Sequence, residues 1–131
     1  LTEPARVGSD IDSYVAEEAV LQGQVVKQGT ADDEVQPSDT DGERVLGVAM
    51  YDAAAGEMVD VARNVNAARL TSGTGTISAD DPLASLGGTG EEGEVDTAAA
   101  GDFVIGSAKK DDAGTNDDVI ARVDPQAGSD L

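Results

Sequence analysis

The chain has 131 residues, with 27 acidic side chains against 8 basic ones, for a net charge of −19. It contains no His and no Cys, which excludes histidine-based triads, thiolate nucleophiles, disulfides and the usual zinc sites. Its 27 Leu, Ile, Val and Phe residues, about 21% of the chain, lie just above the range in which high net charge implies disorder, so one small folded domain is expected.

The charge has a particular texture. Asp outnumbers Glu 18 to 9, Arg outnumbers Lys 5 to 3, and the aromatic residues are Tyr14, Tyr51 and Phe103. Short carboxylates, few lysine stems and small apolar side chains suit concentrated salt, where screening removes self-repulsion and burial is strengthened. A halophilic protein is expected. Acids scattered along the whole chain leave no basic patch, which argues against direct contact with nucleic acid or anionic membranes. No apolar run approaches the ~18 residues of a membrane span, and nothing at the start resembles a signal peptide. The first residue is Leu1 rather than Met, which suggests processing or trimming.

In chain order, residues 1–18 form an acidic lead with a few apolar anchors. Residues 20–27 read as a strand containing Gly23, and 32–43 as a polar, turn-rich stretch. The clearest strand is 44–51, Val-rich around Gly47. A short connection through Ala53-Ala54-Ala55-Gly56 leads to 57–63, where Met58 and Asp60 alternate with Val59 and Val61 as in a half-buried strand. No stretch has a sustained helical period.

The second half repeats the first. Gly47 and Gly106 are 59 residues apart in similar strands, and Glu57-Met58-Val59-Asp60-Val61 matches Asp117-Asp118-Val119-Ile120-Ala121 at an offset of 60. Upstream, Leu21-Gln22-Gly23-Gln24-Val25-Val26 parallels Ala79-Asp80-Asp81-Pro82-Leu83-Ala84 at 58. The expected fold is all-β: a small β-barrel or sandwich built from two related halves, with an extended N-terminal arm. The boundaries are 1–18 for the arm, 19–123 for a single domain with halves at about 20–63 and 77–123, and 124–131 for a C-terminal tail. Gly47 and Gly106, each interrupting a strand at the same place in the repeat, are read as fold-determining positions where the sheet bends.

The chemical motifs are weak. Gly88-Thr89-Gly90-Glu91-Glu92-Gly93 matches a dinucleotide fingerprint literally, but its two glutamates would repel a pyrophosphate and no helix start follows. Asp39-Thr40-Asp41-Gly42 imitates a calcium loop, yet alignment on Gly42 puts Pro37 and Val48 at the two essential carboxylate positions. The acids at 111–118 read as a solvated hairpin tip. Lys109-Lys110 with Ser72 or Ser78 lacks the context of a Ser–Lys nucleophile. No enzyme, catalytic residue, cofactor or metal is expected.

One resemblance rests on Gly23-Gln24-Val25-Val26-Lys27, on Val45-Leu46-Gly47-Val48-Ala49, on Ala53-Ala54-Ala55-Gly56-Glu57-Met58-Val59-Asp60-Val61, and on Ala79-Asp80-Asp81-Pro82-Leu83. This pattern resembles the small head-decoration, or capsid cement, proteins of tailed viruses. Asp80-Asp81 departs from the Gly-Asp of that pattern. The resemblance implies a virion protein on the outer surface of an icosahedral capsid. It would stabilise the shell by binding the major capsid protein lattice, commonly as a homotrimer, and the acidic composition makes the host a haloarchaeon. The lead would then act as an arm: Val7, Ile11, Tyr14 and Val15 could add a strand to an exposed capsid edge. Deletion of residues 1–15 is expected to abolish capsid binding and leave the domain folded. The alternative is a haloarchaeal cell-surface or secreted β-rich binding module.

Overall fold

A computed structural model describes residues 11–73, 75–88, 90–111 and 118–125. Among them there is no helix, and the chain is all-β. The first five strands are β1 (Ile11–Ala16), β2 (Val25–Gln28), β3 (Glu34–Pro37), β4 (Gly47–Ala49) and β5 (Met58–Ala62). They close into a barrel in the order β1-β3-β2-β4-β5, sealed by antiparallel pairing of β1 with β5 from Ile11↔Ala62 to Val15↔Met58. The next five are β6 (Val65–Thr71), β7 (Pro82–Ser85), β8 (Val95–Thr97), β9 (Gly106–Ala108) and β10 (Asp118–Val123). Their order is β6-β10-β9-β7-β8, and the two edges of this sheet meet at a parallel bridge, Ser72↔Val95.

The two orders are the same topology used twice. Pairing registers make the correspondence exact at residue level: Val26↔Gly47 in the first half matches Leu83↔Gly106 in the second, and Gln28↔Val35 matches Ser85↔Val95. Backbone bonds repeat as well. Gly23 N–H donates to Ala49 O at 3.0 Å, as Asp80 N–H does to Ala108 O at 2.7 Å. Glu17 N–H donates to Val35 O at 2.8 Å, as Gly73 N–H does to Val95 O at 2.9 Å. The offsets of 59 at the glycines and 60 between β5 and β10 match the repeat, whereas the upstream segment pairs at 57 rather than 58. Gly23 is therefore a turn residue (φ +88) and not part of a strand, and its counterpart Asp80 adopts the same left-handed conformation (φ +71).

Each half starts one strand earlier than the boundaries 20–63 and 77–123, because β1 and β6 are equivalent opening strands. This corrects the reading of 1–18 as an arm for its described part. Ile11–Ala16 is paired to β5 along its length and to β3 at Val15 and Ala16, so deletion through residue 15 would remove the strand that closes the barrel. Val7 and the tail beyond Pro125 lie outside the described residues.

The first barrel is filled by small side chains: Ala16, Val20, Val26, Val35, Ala49, Ala53, Val59 and Val61. A larger core holds Leu70, Ile77, Leu83, Phe103 and Ile105 of the second half together with Val25, Val45, Val48 and Ala62 of the first. The halves thus share one hydrophobic core. Gly47 and Gly106 are needed there for closeness. A Cβ at Gly47 would overlap the carbonyl oxygen of Ala62 on β5, and one at Gly106 would overlap that of Arg122 on β10. Absence of a side chain lets the short fourth strand of each half lie against the fifth.

Polar groups lock the seam between halves. Gly93 N–H donates to Ser38 O at 2.7 Å and its carbonyl accepts from Val25 N–H at 2.9 Å. Gly42 N–H donates to Ser85 O at 2.9 Å, and Phe103 N–H donates to Gly42 O at 3.0 Å. Beside them one oxygen of Glu43 accepts from Ser38 Oγ (2.8 Å), Asp39 N–H (2.9 Å) and Thr40 N–H (2.9 Å). Lys27 Nζ reaches Asp39 at 2.6 Å, a bond that raises the lysine pKa and holds the Asp39 carboxyl below its ordinary value.

Candidate interaction surface

The seam accounts for both glycine-rich motifs. Asp39 is held by Lys27, and Asp41 Oδ1 accepts from Gly87 N–H, so the calcium-like loop is a joint between halves. The literal dinucleotide motif lies in the β7–β8 connection and is followed by a strand rather than a helix. Among the described residues no three or more Asp or Glu side chains gather as a metal would require.

The surface carries one outlying feature. Among the described residues five large apolar side chains are exposed: Ile11 (37%), Leu21 (57%), Met50 (39%), Tyr51 (43%) and Met58 (55%). All belong to the first half. Directly opposed residues of an antiparallel pair put their side chains on the same face. Val15↔Met58 and Ser13↔Asp60 therefore share the outward face of β1 and β5, and Ser13 Oγ donates to Asp60 Oδ1 there at 2.7 Å, while Ile11 lies on the same side opposite Ala62, which the second half covers in the shared core. Met50 N–H donates to Asp60 O at 2.9 Å, which extends the β4–β5 register by one residue and brings Met50 to that face. Met50 also lines a shallow groove at the seam with Gln22, Ala67 and Arg69. Leu21 and Tyr51 sit in the adjoining turns, which are tied by the bridge Val20↔Ala53 and by Gln22 N–H donating to Asp52 at 2.8 Å.

The duplication supplies an internal control. The positions equivalent to Met50 and Met58 are Lys109 and Asp118: Lys109 N–H donates to Ile120 O at 2.8 Å as Met50 does to Asp60, and Asp118 faces Thr71 as Met58 faces Val15. Leu21 corresponds to Ser78, both being turn residues whose carbonyls accept from the residue three positions on. Tyr51 corresponds by chain order to Lys110 and Ile11 to Ala67. The same scaffold thus accommodates charged or small groups wherever the first half exposes large apolar ones. Folding does not require this apolar face.

The four residues expected to contact a capsid separate accordingly. Ile11 and Val15 lie on the apolar face, Tyr14 packs against the core of the first barrel, and Val7 lies outside the described residues. The sequence reading missed Met50, Met58, Leu21 and Tyr51, although the offsets of 59 and 60 already set Met50 against Lys109 and Met58 against Asp118.

No family model matches the chain. No curated protein matches it by sequence. Among solved structures it is similar to the head fiber gp8.5 N base in bacteriophage phi29, with a TM-score of 0.68, 18% identity, and coverage of 94% of this chain and 98% of that one. The likeness is one of fold, and it extends over both halves rather than a single barrel.

Proposed function

We propose that this protein is a structural component of a virion, located on the outer surface of an icosahedral capsid. It decorates and stabilises the shell by binding the major capsid protein lattice as an oligomer, a homotrimer. The observation that supports this reading is the near-complete two-way match to the base of a phage head fiber. A match to one half would be generic; a match to both halves from end to end is more specific. The apolar face adds to it, because a surface otherwise dominated by carboxylates keeps its large apolar side chains where a contact would form. Such a role calls for no catalytic group. The acid excess suits a haloarchaeal host, and binding is then expected at molar salt. The test is co-sedimentation of the purified protein with heads of its virus at ~3 M NaCl, with sedimentation equilibrium for the subunit count. Bound protein with a trimeric mass is expected. A monomer that stays in the supernatant would refute the reading.

A further inference from the structure

The half-to-half comparison leads beyond the existence of a contact to the chemistry of what is contacted. The outward face of β1 and β5 carries Met50, Met58, Ile11 and Val15 around the hydrogen-bonded Ser13–Asp60 pair, with Leu21 and Tyr51 adjoining. Acids lie within it and beside it. Asp60 lies on the sheet between Met58 and Met50, Asp52 follows Tyr51, and Glu57 precedes Met58. Among the described residues none of these three has an ion pair, whereas Asp12 beside Ile11 is matched by Arg63 at 3.6 Å. Negative charge without an ion-pair partner among exposed apolar side chains is complemented by a segment that combines large apolar side chains with neighbouring basic ones. A second copy of this chain would instead set its own acids against these.

Resting on the capsid-surface reading, we propose that this face docks a segment of the capsid protein in which large apolar side chains are flanked by Lys or Arg. The division of labour follows from the duplication: the first half holds the partner, and the second half, with Lys109, Lys110, Asp118 and Ser78 at the equivalent positions, faces solvent. Docking is by side chains on the sheet face. It does not require Ile11–Ala16 to leave the barrel and add a strand elsewhere.

The composition gives a direct assay, since Met50 and Met58 are the two methionines of the chain. Incorporation of photo-methionine puts a cross-linker at this face alone without changing the sequence. The labelled protein is irradiated on purified heads stripped of it, and the linked peptide is identified by mass spectrometry. A capsid-protein peptide carrying apolar residues with neighbouring Lys or Arg is the expected product. In parallel, the Met50→Lys/Met58→Asp double variant installs the second half's residues, so its circular dichroism is expected to match the wild type. Its affinity for heads is expected to fall at least tenfold, about 1.4 kcal/mol.

Failure to bind heads at all would refute the capsid reading and this inference together. Binding without cross-links, or with undiminished affinity of a folded double variant, would refute the inference alone. Cross-links between two copies of the chain would overturn it in favour of self-association, and a linked segment lacking basic residues would overturn the assigned chemistry. Should the double variant fail to fold, cross-linking of the unsubstituted protein still decides.

Discussion

Substitution of Gly47 by Ala tests how the first barrel closes. The added methyl carbon would overlap the Ala62 carbonyl oxygen and lie 2.9 Å from Val61 Cγ1 and 3.0 Å from the Ala62 carbonyl carbon. The main obstacle is backbone in a paired strand, so β4 and β5 must separate and loosen the Val48↔Ala62 and Ala49↔Val61 pairs. Overpacking of a core costs about 1–3 kcal/mol where side chains can yield. Here a strand must move, which puts the cost at the top of that range, about 3 kcal/mol. For a chain of this size each kcal/mol lowers Tm by roughly 4 °C, so a drop of about 12 °C is expected. Gly106→Ala should behave alike, since its methyl would overlap the Arg122 carbonyl oxygen. Gly56→Ala is the control. Gly56, unlike Gly47 and Gly106, has a positive φ (+89), but nothing lies within 4 Å of its added carbon, so only the conformational cost of about 1 kcal/mol applies. Thermal unfolding by circular dichroism at molar salt measures all three. The reasoning fails if Gly47→Ala costs no more than Gly56→Ala. Because the halves share a core, each variant should still unfold in one transition, and two separated transitions would contradict that packing.

Three further outcomes are expected. Asp80→Gly relieves the left-handed backbone (φ +71) at a position where the first half carries Gly23, and should stabilise by about 0.5–1 kcal/mol; an unchanged or lower Tm would count against this. Burial pushes the Glu94 carboxyl above its ordinary value, and Glu91 and Glu92 add repulsion, while its Oε1 is buried without a hydrogen-bond partner. A raised carboxyl pKa means that the folded state binds the proton more readily, so its ionised form opposes folding at neutral pH and this penalty fades as pH falls through the carboxylate range. Glu94→Gln should therefore raise Tm at pH 7, with the gain shrinking toward pH 4, and a gain independent of pH would refute the assignment. Finally, with a net charge of −19, stability should rise from ~0.1 M to ~3 M NaCl as the Debye length shrinks from about 10 Å to a few Å; equal Tm values would argue against salt adaptation.

The duplication was legible because it is written in local signals. A glycine inside a Val-rich strand and an alternating strand some ten residues later recur at offsets of 59 and 60, and the observed pairing reproduces both. The opening strands β1 and β6 were not. Ile11–Ala16 mixes Asp12 and Ser13 with its apolar residues, and Val65–Thr71 has only Val65 and Leu70 as large ones. Their strand character comes from partners some 50 residues away, such as Ala62 for Ile11 and Asp118 for Thr71. For the same reason Glu34–Pro37, inside a stretch rich in turn residues, is a strand: its neighbours β2 and β1 supply the hydrogen bonds.

The sequence alone determined the absence of thiol and imidazole chemistry, the acidic surface and the all-β, two-part architecture, since these depend on residue counts, on short-range alternation and on a repeat at offsets of 59 and 60. Only the tertiary structure decided where apolar side chains lead. Met58 alternates with Val59 along one strand, and alternation shows that the two face opposite ways without showing which side is covered. Barrel closure placed Val59 inside and left Met58 on a bare face, and the second half, with Asp118 at the same register, shows that folding does not require an apolar group there.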